Sequence, residues 1–277
     1  MAISINKLNE DIQNQIIEAY KNNMSLREIE NQFGATRATV SKFLEIKGIK
    51  TTKGNHYRKY FHDIDFFETI NTEEKAYWLG FMYADGYIVN HENRYGEDDF
   101  GITLAEDSID SIEKFKASIK ATNPIRYDNS KQGQKQVKLV CCSQKTVNDL
   151  IDKGVLKGKS LILKPPTKVP QELIRHFIRG FFDGDGSLMK NQSNNYIAYG
   201  IDFTTTYEMA KWLQDTLQIG NIFPDKRREA TWYFSVGGNQ QVLKLCHYMY
   251  DNASIWMNRK YNRYKELLEK YGESQGN

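Results

Sequence analysis

An α+β architecture, two αββαββα units in tandem behind a small all-α module, is predicted by three features of this 277-residue chain. The first 60 residues carry helical periodicity with capping signals. Two almost wholly apolar helical stretches then recur 100 residues apart, at Trp78–Gly86 and Ile178–Gly186. After each comes the same succession of alternating segments and amphipathic helices, which predicts antiparallel sheets with one covered and one open face.

Composition narrows the class of molecule. The chain is 40% hydrophobic and 13% aromatic, enough to bury real cores, which excludes disorder throughout. No apolar run approaches the roughly 18 residues of a membrane span, and the opening MAISINKLNE lacks the apolar core of a secretory signal. Cys141, Cys142 and Cys246 have no metal-finger spacing and suit a reducing compartment. Net charge is only +3, but residues 1–60 hold ten Lys/Arg against six Asp/Glu, a net of +4. A basic module stands before a nearly neutral body.

In that module, a helix from about residue 9 to 22 aligns Ile12, Ile16, Ala19 and Tyr20 on one face. Ser25 and Glu28 form a capping box for a second helix that stops at Gly34. Thr36 caps a third, with Val40, Phe43, Leu44 and Ile46 expected inward. Arg37, Ala38, Thr39, Ser41 and Lys42 are left outside, small or basic groups suited to a major groove and its phosphates. The stretch SLREIENQFGATRATVSKFL resembles the DNA-binding helix-turn-helix of resolvases and invertases. A plain helical bundle accounts for the same periodicity. The expected organisation is a helix-turn-helix domain over 1–50, a linker over 51–70, and repeated subdomains over 71–166 and 167–277. The proline-rich Lys164–Pro170 segment separates the last two.

The repeats carry the chemistry. Asn71 with Glu74 reads as a capping box for the first motif helix, and Pro170 suits the first helical position of the second. Gly80 and Ala84, like Gly180 and Gly184, make a small-residue stripe that lets two helix backbones approach. Packed in parallel, the helices would bring Asp85 and Asp185 together at their C-terminal ends, with Gly86 and Gly186 turning into strands through left-handed conformations. Two carboxylates there repel each other and the helix ends, so a divalent cation with oxygen ligands would suit them. Read singly, Ala-Asp-Gly or Gly-Asp-Gly is only a helix-ending turn; the pairing favours the site. Lys159 and Lys260 follow the two acids by 74 and 75 residues. On or beside the open sheet faces, Lys135, Lys138, Lys190, Asn191, Gln192, Asn194, Lys226, Arg227 and Arg228 suit base edges and phosphates. The same side chains also suit an ordinary solvated face.

Both motifs and both lysines resemble the LAGLIDADG homing endonucleases, in the form that carries two copies on one chain, over about residues 71–270. That resemblance implies saddle-shaped sheets over double-stranded DNA and a central pair of motif helices. Asp85 and Asp185, helped by the carbonyls of Ala84 and Gly184, would bind Mg²⁺ or Mn²⁺. Lys159 and Lys260 would assist as further catalytic groups. The implied reaction is metal-dependent hydrolysis of one phosphodiester per strand, by a cytoplasmic monomer in a bacterial or phage-infected cell. Two departures are Asp183, against Tyr83 in the first copy, and Arg179, where a small residue is usual. An RNA-splicing maturase, with intron RNA as partner, and a non-catalytic DNA-binding regulator are the alternatives; retention of both acids and both lysines favours the nuclease.

Overall fold

The computed structural model describes residues 10–21, 24–49, 60–89, 98–130, 132–156, 158, 162–193 and 196–272. They form two compact units, Met1–Tyr60 and Phe61–Asn277. No helix among the described residues is long and apolar enough to cross a membrane.

The first unit consists of α1 (Glu10–Lys21), α2 (Leu26–Phe33) and α3 (Arg37–Ile46). The capping box at Ser25 forms: its Oγ accepts from the Glu28 N–H (3.2 Å), and the Glu28 carboxylate accepts from the Ser25 N–H (2.9 Å). Gly34 ends α2 at φ +71°, the left-handed region glycine favours. Thr36 caps α3. Ile16, Ile29, Ala35, Val40, Phe43 and Leu44 make the core. Ile46 is not part of it and is 71% exposed. Six residues beyond Val40 it lies about 240° around the helix, off the face that Val40, Phe43 and Leu44 share.

The second unit contains the repeat. Its first copy is α4 (Glu73–Ala84), β1 (Gly86–Val89), β2 (Asp99–Ala105), α5 (Ile109–Ser118), β3 (Arg126–Asn129), β4 (Lys135–Cys142) and α6 (Gln144–Asp152). The second is α7 (Ile174–Asp185), β5 (Gly186–Ser193), β6 (Tyr196–Thr205), α8 (Tyr207–Leu217), β7 (Asn221–Pro224), β8 (Trp232–Gly237) and α9 (Asn239–Tyr250). A further helix, α10 (Asn258–Tyr271), follows. The sheets are antiparallel with matching strand orders, β1-β2-β4-β3 and β5-β6-β8-β7. Alternation works as expected: Phe100, Ile102, Val137, Leu139, Ile201, Phe203, Phe234 and Val236 are buried against the helices.

Three boundaries differ from the sequence reading. The expected linker 51–70 is divided, because Phe61–Ile70 packs on the body. The Asp63 N–H bonds Ile119 O (2.7 Å), Phe67 is fully buried, and Lys145 holds Asp65 (2.9 Å) and Glu68 (3.2 Å). Thr72 rather than Asn71 caps α4, its hydroxyl accepting from the Lys75 N–H, while Glu74 instead accepts from Ser118 Oγ. Pro170 precedes a short 3₁₀ turn, Gln171–Leu173, and α7 begins only at Ile174. The two subdomains also form a single unit, joined through α4 and α7.

Candidate active site

Helices α4 and α7 are buried along most of their length and cross at their glycines. A Cβ on Gly80 would lie 2.0 Å from the carbonyl oxygen of Phe177, and one on Gly180 would lie 1.9 Å from that of Tyr77. The two contacts are related by the 100-residue offset, so the crossing is a near-twofold one, and no larger residue fits either position. One turn on, a Cβ on Gly184 would lie 2.1 Å from Ala84 Cβ and 3.4 Å from Asp85 N. The helices therefore run in parallel, with their C-terminal ends together.

Asp85 and Asp185 occupy those ends, the first half-buried and the second exposed. Gly86 and Gly186 follow without positive φ; Gly186 is extended at φ −76°. Space, not left-handed backbone, requires glycine here. A Cβ on Gly86 would meet Met82 Cα at 2.7 Å, and one on Gly186 the Phe182 ring at 2.2 Å.

Lys260 is buried beside this junction. Its ammonium donates to the carbonyls of Phe182, Asp183 (2.8 Å) and Gly184 (3.2 Å), where the last turn of α7 leaves acceptors unpaired. Burial pulls its pKa down to about 8, against the attraction of Asp183, Asp85 and Asp185. One cation thus feels a carboxylate from each half. The Gly184 carbonyl, expected from the resemblance to face a metal, accepts from Lys260, and Ala84 is buried. Lys159 lies outside the described residues. No group of three or more His, Cys, Asp or Glu among the described residues is arranged to hold a metal, so Asp85 and Asp185 would need water, carbonyl or phosphate oxygens to complete a coordination shell.

Around this junction lies a polar network that the sequence reading missed. Asp183 is fully buried and accepts from Tyr77 Oη (2.9 Å), Tyr250 Oη (2.6 Å) and the Met257 N–H (2.7 Å). Burial raises its pKa, opposed by Lys260 and these donors, and the pKa values of Tyr77 and Tyr250 rise with burial too. Arg179, also fully buried, donates to Ile255 O (2.9 Å), Met249 O (2.8 Å), His176 Nδ1 (2.9 Å) and Glu73 Oε1 (2.7 Å). Burial works to raise the Glu73 pKa, but the Ser254 N–H and the Arg179 guanidinium outweigh it and leave it lowered. The available signal was the pair of charges at 179 and 183 inside an apolar helix, since buried charges require partners.

The expected nucleic-acid face divides by strand register. Lys138 pairs across from Thr103 and Arg126 on the open side of the first sheet, and its ammonium holds Asp128 at 2.6 Å. Lys135 is exposed at the start of β4, 3.6 Å from Glu106, but by register it falls on the side of Val137 and Leu139 rather than on the open one. Asn191 lies on the open side of the second sheet, opposite Ala198. Lys190 does not: it pairs with the inward-facing Tyr199, and its ammonium meets Glu266 of α10 at 3.0 Å. Gln192, opposite Ile197, shares that covered side, because successive strand residues alternate faces. Asn194 lies outside the described residues. Lys226, Arg227 and Arg228 are exposed in the turn between β7 and β8. In the first unit, Arg37 and Lys42 are exposed and Arg37 meets Glu30 at 3.1 Å. Thr39 and Ser41 are half-buried, and the Thr39 hydroxyl bonds that of Thr36 (2.8 Å).

Comparison with known proteins fits this geometry. Residues 172–247 match the LAGLIDADG-like domain family. The chain has the fold of a crystal structure of LAGLIDADG homing endonuclease I-GzeII in complex with its DNA target (TM-score 0.53, 14% identity, 75% of this chain and 92% of that one). It is similar to I-LtrWI bound to target DNA (TM-score 0.51, 11% identity, 76% and 92%) and to the meganuclease I-SmaMI bound to DNA (TM-score 0.51, 13% identity, 70% and 88%). Among curated proteins, 215 residues are 24% identical to the replication factor C small subunit of Methanocaldococcus jannaschii, covering 74% of this chain and 11% of that protein. The chain thus spans about a tenth of the length of this relative. The body is a two-copy LAGLIDADG fold, with a LAGLIDADG-like domain in its second half.

Proposed function

We propose that this chain, whose body has the LAGLIDADG fold, is a site-specific endonuclease for double-stranded DNA, hydrolysing one phosphodiester in each strand with Mg²⁺ or Mn²⁺. The observation that carries the reading is the placement of two aspartates, one from each half, at the joined C-terminal ends of two crossing helices, with the buried Lys260 ammonium beside them. The structural neighbours, described as endonucleases bound to DNA, support the substrate class.

The residues present fit a hard divalent cation. Asp85 and Asp185 would hold it, two oxygen donors from rigid helix ends that otherwise concentrate negative charge. When bound, such a cation supplies Lewis acidity toward the phosphate and a lowered pKa for water. Lys260 compensates the carbonyls of the α7 terminus and the nearby carboxylates, fixing the position of Asp185. The open sheet faces, with Lys138 and Asn191, and the Lys226–Arg228 turn would lie along the duplex. Both sites sit in one chain, so a monomer suffices. The two acids have no task in a regulator or in a maturase without nuclease activity.

The test is a supercoiled plasmid carrying the uninterrupted genomic sequence that flanks the gene, incubated with protein and Mg²⁺. Linear product is expected, along with its loss in Asp85→Asn and in Asp185→Asn while duplex binding persists. Full cleavage by either variant removes the metal assignment. For the first unit we propose a helix-turn-helix role in which Arg37 and Lys42 contact phosphates. The double variant Arg37→Ala, Lys42→Ala should weaken binding and reduce the slope of log affinity against log salt by about two. An unchanged slope would leave that unit a structural bundle.

A further inference from the structure

The turn between β7 and β8 carries three consecutive cations, but they are not equivalent. Asp225 opens the turn with its side chain only 3% exposed. One carboxylate oxygen accepts from the Arg227 N–H (2.9 Å); the other accepts from Arg228 Nε (2.9 Å) and Tyr233 Oη (2.8 Å). The main chain closes the same loop, with the Asp225 N–H donating to Thr231 O at 2.8 Å. These donors, the Arg227 N–H first, hold the Asp225 pKa far below the usual carboxylate range. Arg227 instead leaves its guanidinium 84% exposed, 3.7 Å from the carboxylate at its nearest.

We infer that Asp225 is a positioning residue: with Arg228 and Tyr233 it braces the β7–β8 turn so that Lys226 and Arg227 are presented to the phosphates of a bound duplex. The inference rests on the DNA-binding reading above and deepens it by removing Arg228 from the phosphate contacts. Tyr233 lies opposite Thr204 and Phe223 on the open face of the second sheet, so the brace fastens the turn to the surface proposed to cover the DNA. The turn needs fastening, because Ala230 sits at φ +58°, a conformation unfavourable for a residue with a Cβ. A turn ordered in advance avoids the entropy lost when loose side chains are fixed on binding. An acid among phosphate contacts would repel the duplex, but Arg228 compensates this one locally.

Simple charge and the brace make opposite predictions for Asp225→Asn. Neutralising an acid should tighten binding to a polyanion; loosening a brace should weaken it. The experiment measures binding of the full-length protein across a salt series to a duplex that the wild type recovers from a randomised pool, and to an unrelated duplex of equal length. Amide hydrogen exchange over residues 225–231 is followed in the free protein. Asp225→Asn is expected to weaken binding to the recovered duplex about tenfold, with unchanged salt slope and faster exchange in the turn. Tyr233→Phe, which alters no charge, should act in the same direction and less. Lys226→Ala and Arg227→Ala should each lower the slope by about one, and Arg228→Ala should not. Equal or tighter binding by Asp225→Asn overturns the inference, as does a slope loss in Arg228→Ala matching that of Lys226→Ala. Should the wild type recover no duplex, the DNA reading itself fails and the phosphate role falls with it, while the exchange data alone report whether the brace exists.

Discussion

The two halves of the repeat are alike where they touch and unlike one residue away. Gly80 and Gly180 make the same close approach to the opposite backbone. Beside them, Leu79 answers to Arg179 and Tyr83 to Asp183, all four buried. In the first half, Leu79 is ordinary core and Tyr83 donates to Lys153 O (2.6 Å). In the second, Arg179 and Asp183 grip the 249–257 segment ahead of α10 and reach across to Glu73 and Tyr77. A crossing of two backbones tolerates no variation, because a Cβ on either glycine has nowhere to go. The flanking positions tolerate any solution that fills space and satisfies polar atoms. The second half has used that freedom to fasten α10, and with it Lys260.

The largest effects should test the likeness. Gly80→Ala and Gly180→Ala should each destabilise the body by at least about 3 kcal/mol, since the added methyl strikes backbone. Nearly equal losses in thermal unfolding are expected; a tolerated substitution at one site would mean the crossing is not shared equally. The difference between halves comes next. Asp183→Asn should cost about 3 kcal/mol, because it leaves a buried cationic cluster short of its anion. At the equivalent place in the first half, Tyr83→Phe should cost only about 1 kcal/mol, one hydrogen bond. Denaturant titrations of both variants would settle the comparison, and equal costs would contradict it.

The smallest effect is a pH dependence peculiar to the second half. His176 Nδ1 accepts from Arg179, so the ring is neutral in the fold; burial first, then Arg179, lowers its pKa from 6.5 to about 4. Between those values the unfolded chain binds more protons than the folded one, so stability falls as pH falls. From pH 6.5 to about pH 5 the wild type should lose on the order of 1 kcal/mol more than His176→Gln. Glu73, with its lowered pKa, adds to the loss only at lower pH, below its model-compound value of 4.5. Parallel stability profiles for the two proteins would refute the assignment.

How much was legible follows from the range of each interaction. The Ser25–Glu28 capping box spans three residues and reads directly from the chain, as do the alternation of β2 and β4 and the pairing of the two glycine stripes. Ile46 leaves the core face because helix geometry turns it about 240° from Val40, an angle that apolar character alone does not reveal. Lys190 was given to the open face because composition marks a basic strand, whereas only register says which side each residue takes. Thr72 displaced Asn71 as a cap once Glu74 had found Ser118 in another helix.

By itself, then, the sequence determined the duplication, the two-layer units, the glycine crossing and the acids at its end, because periodicity and spacing are properties of the chain. Tertiary structure alone decided that Lys260 caps three carbonyls and that Arg179 and Asp183 are satisfied inside the core. Each of those contacts depends on which donors or acceptors surround a buried charge. The partners of Lys260, and those of Arg179 and Asp183 named above apart from His176, come from segments about 70 to more than 100 residues away and are brought near only by packing.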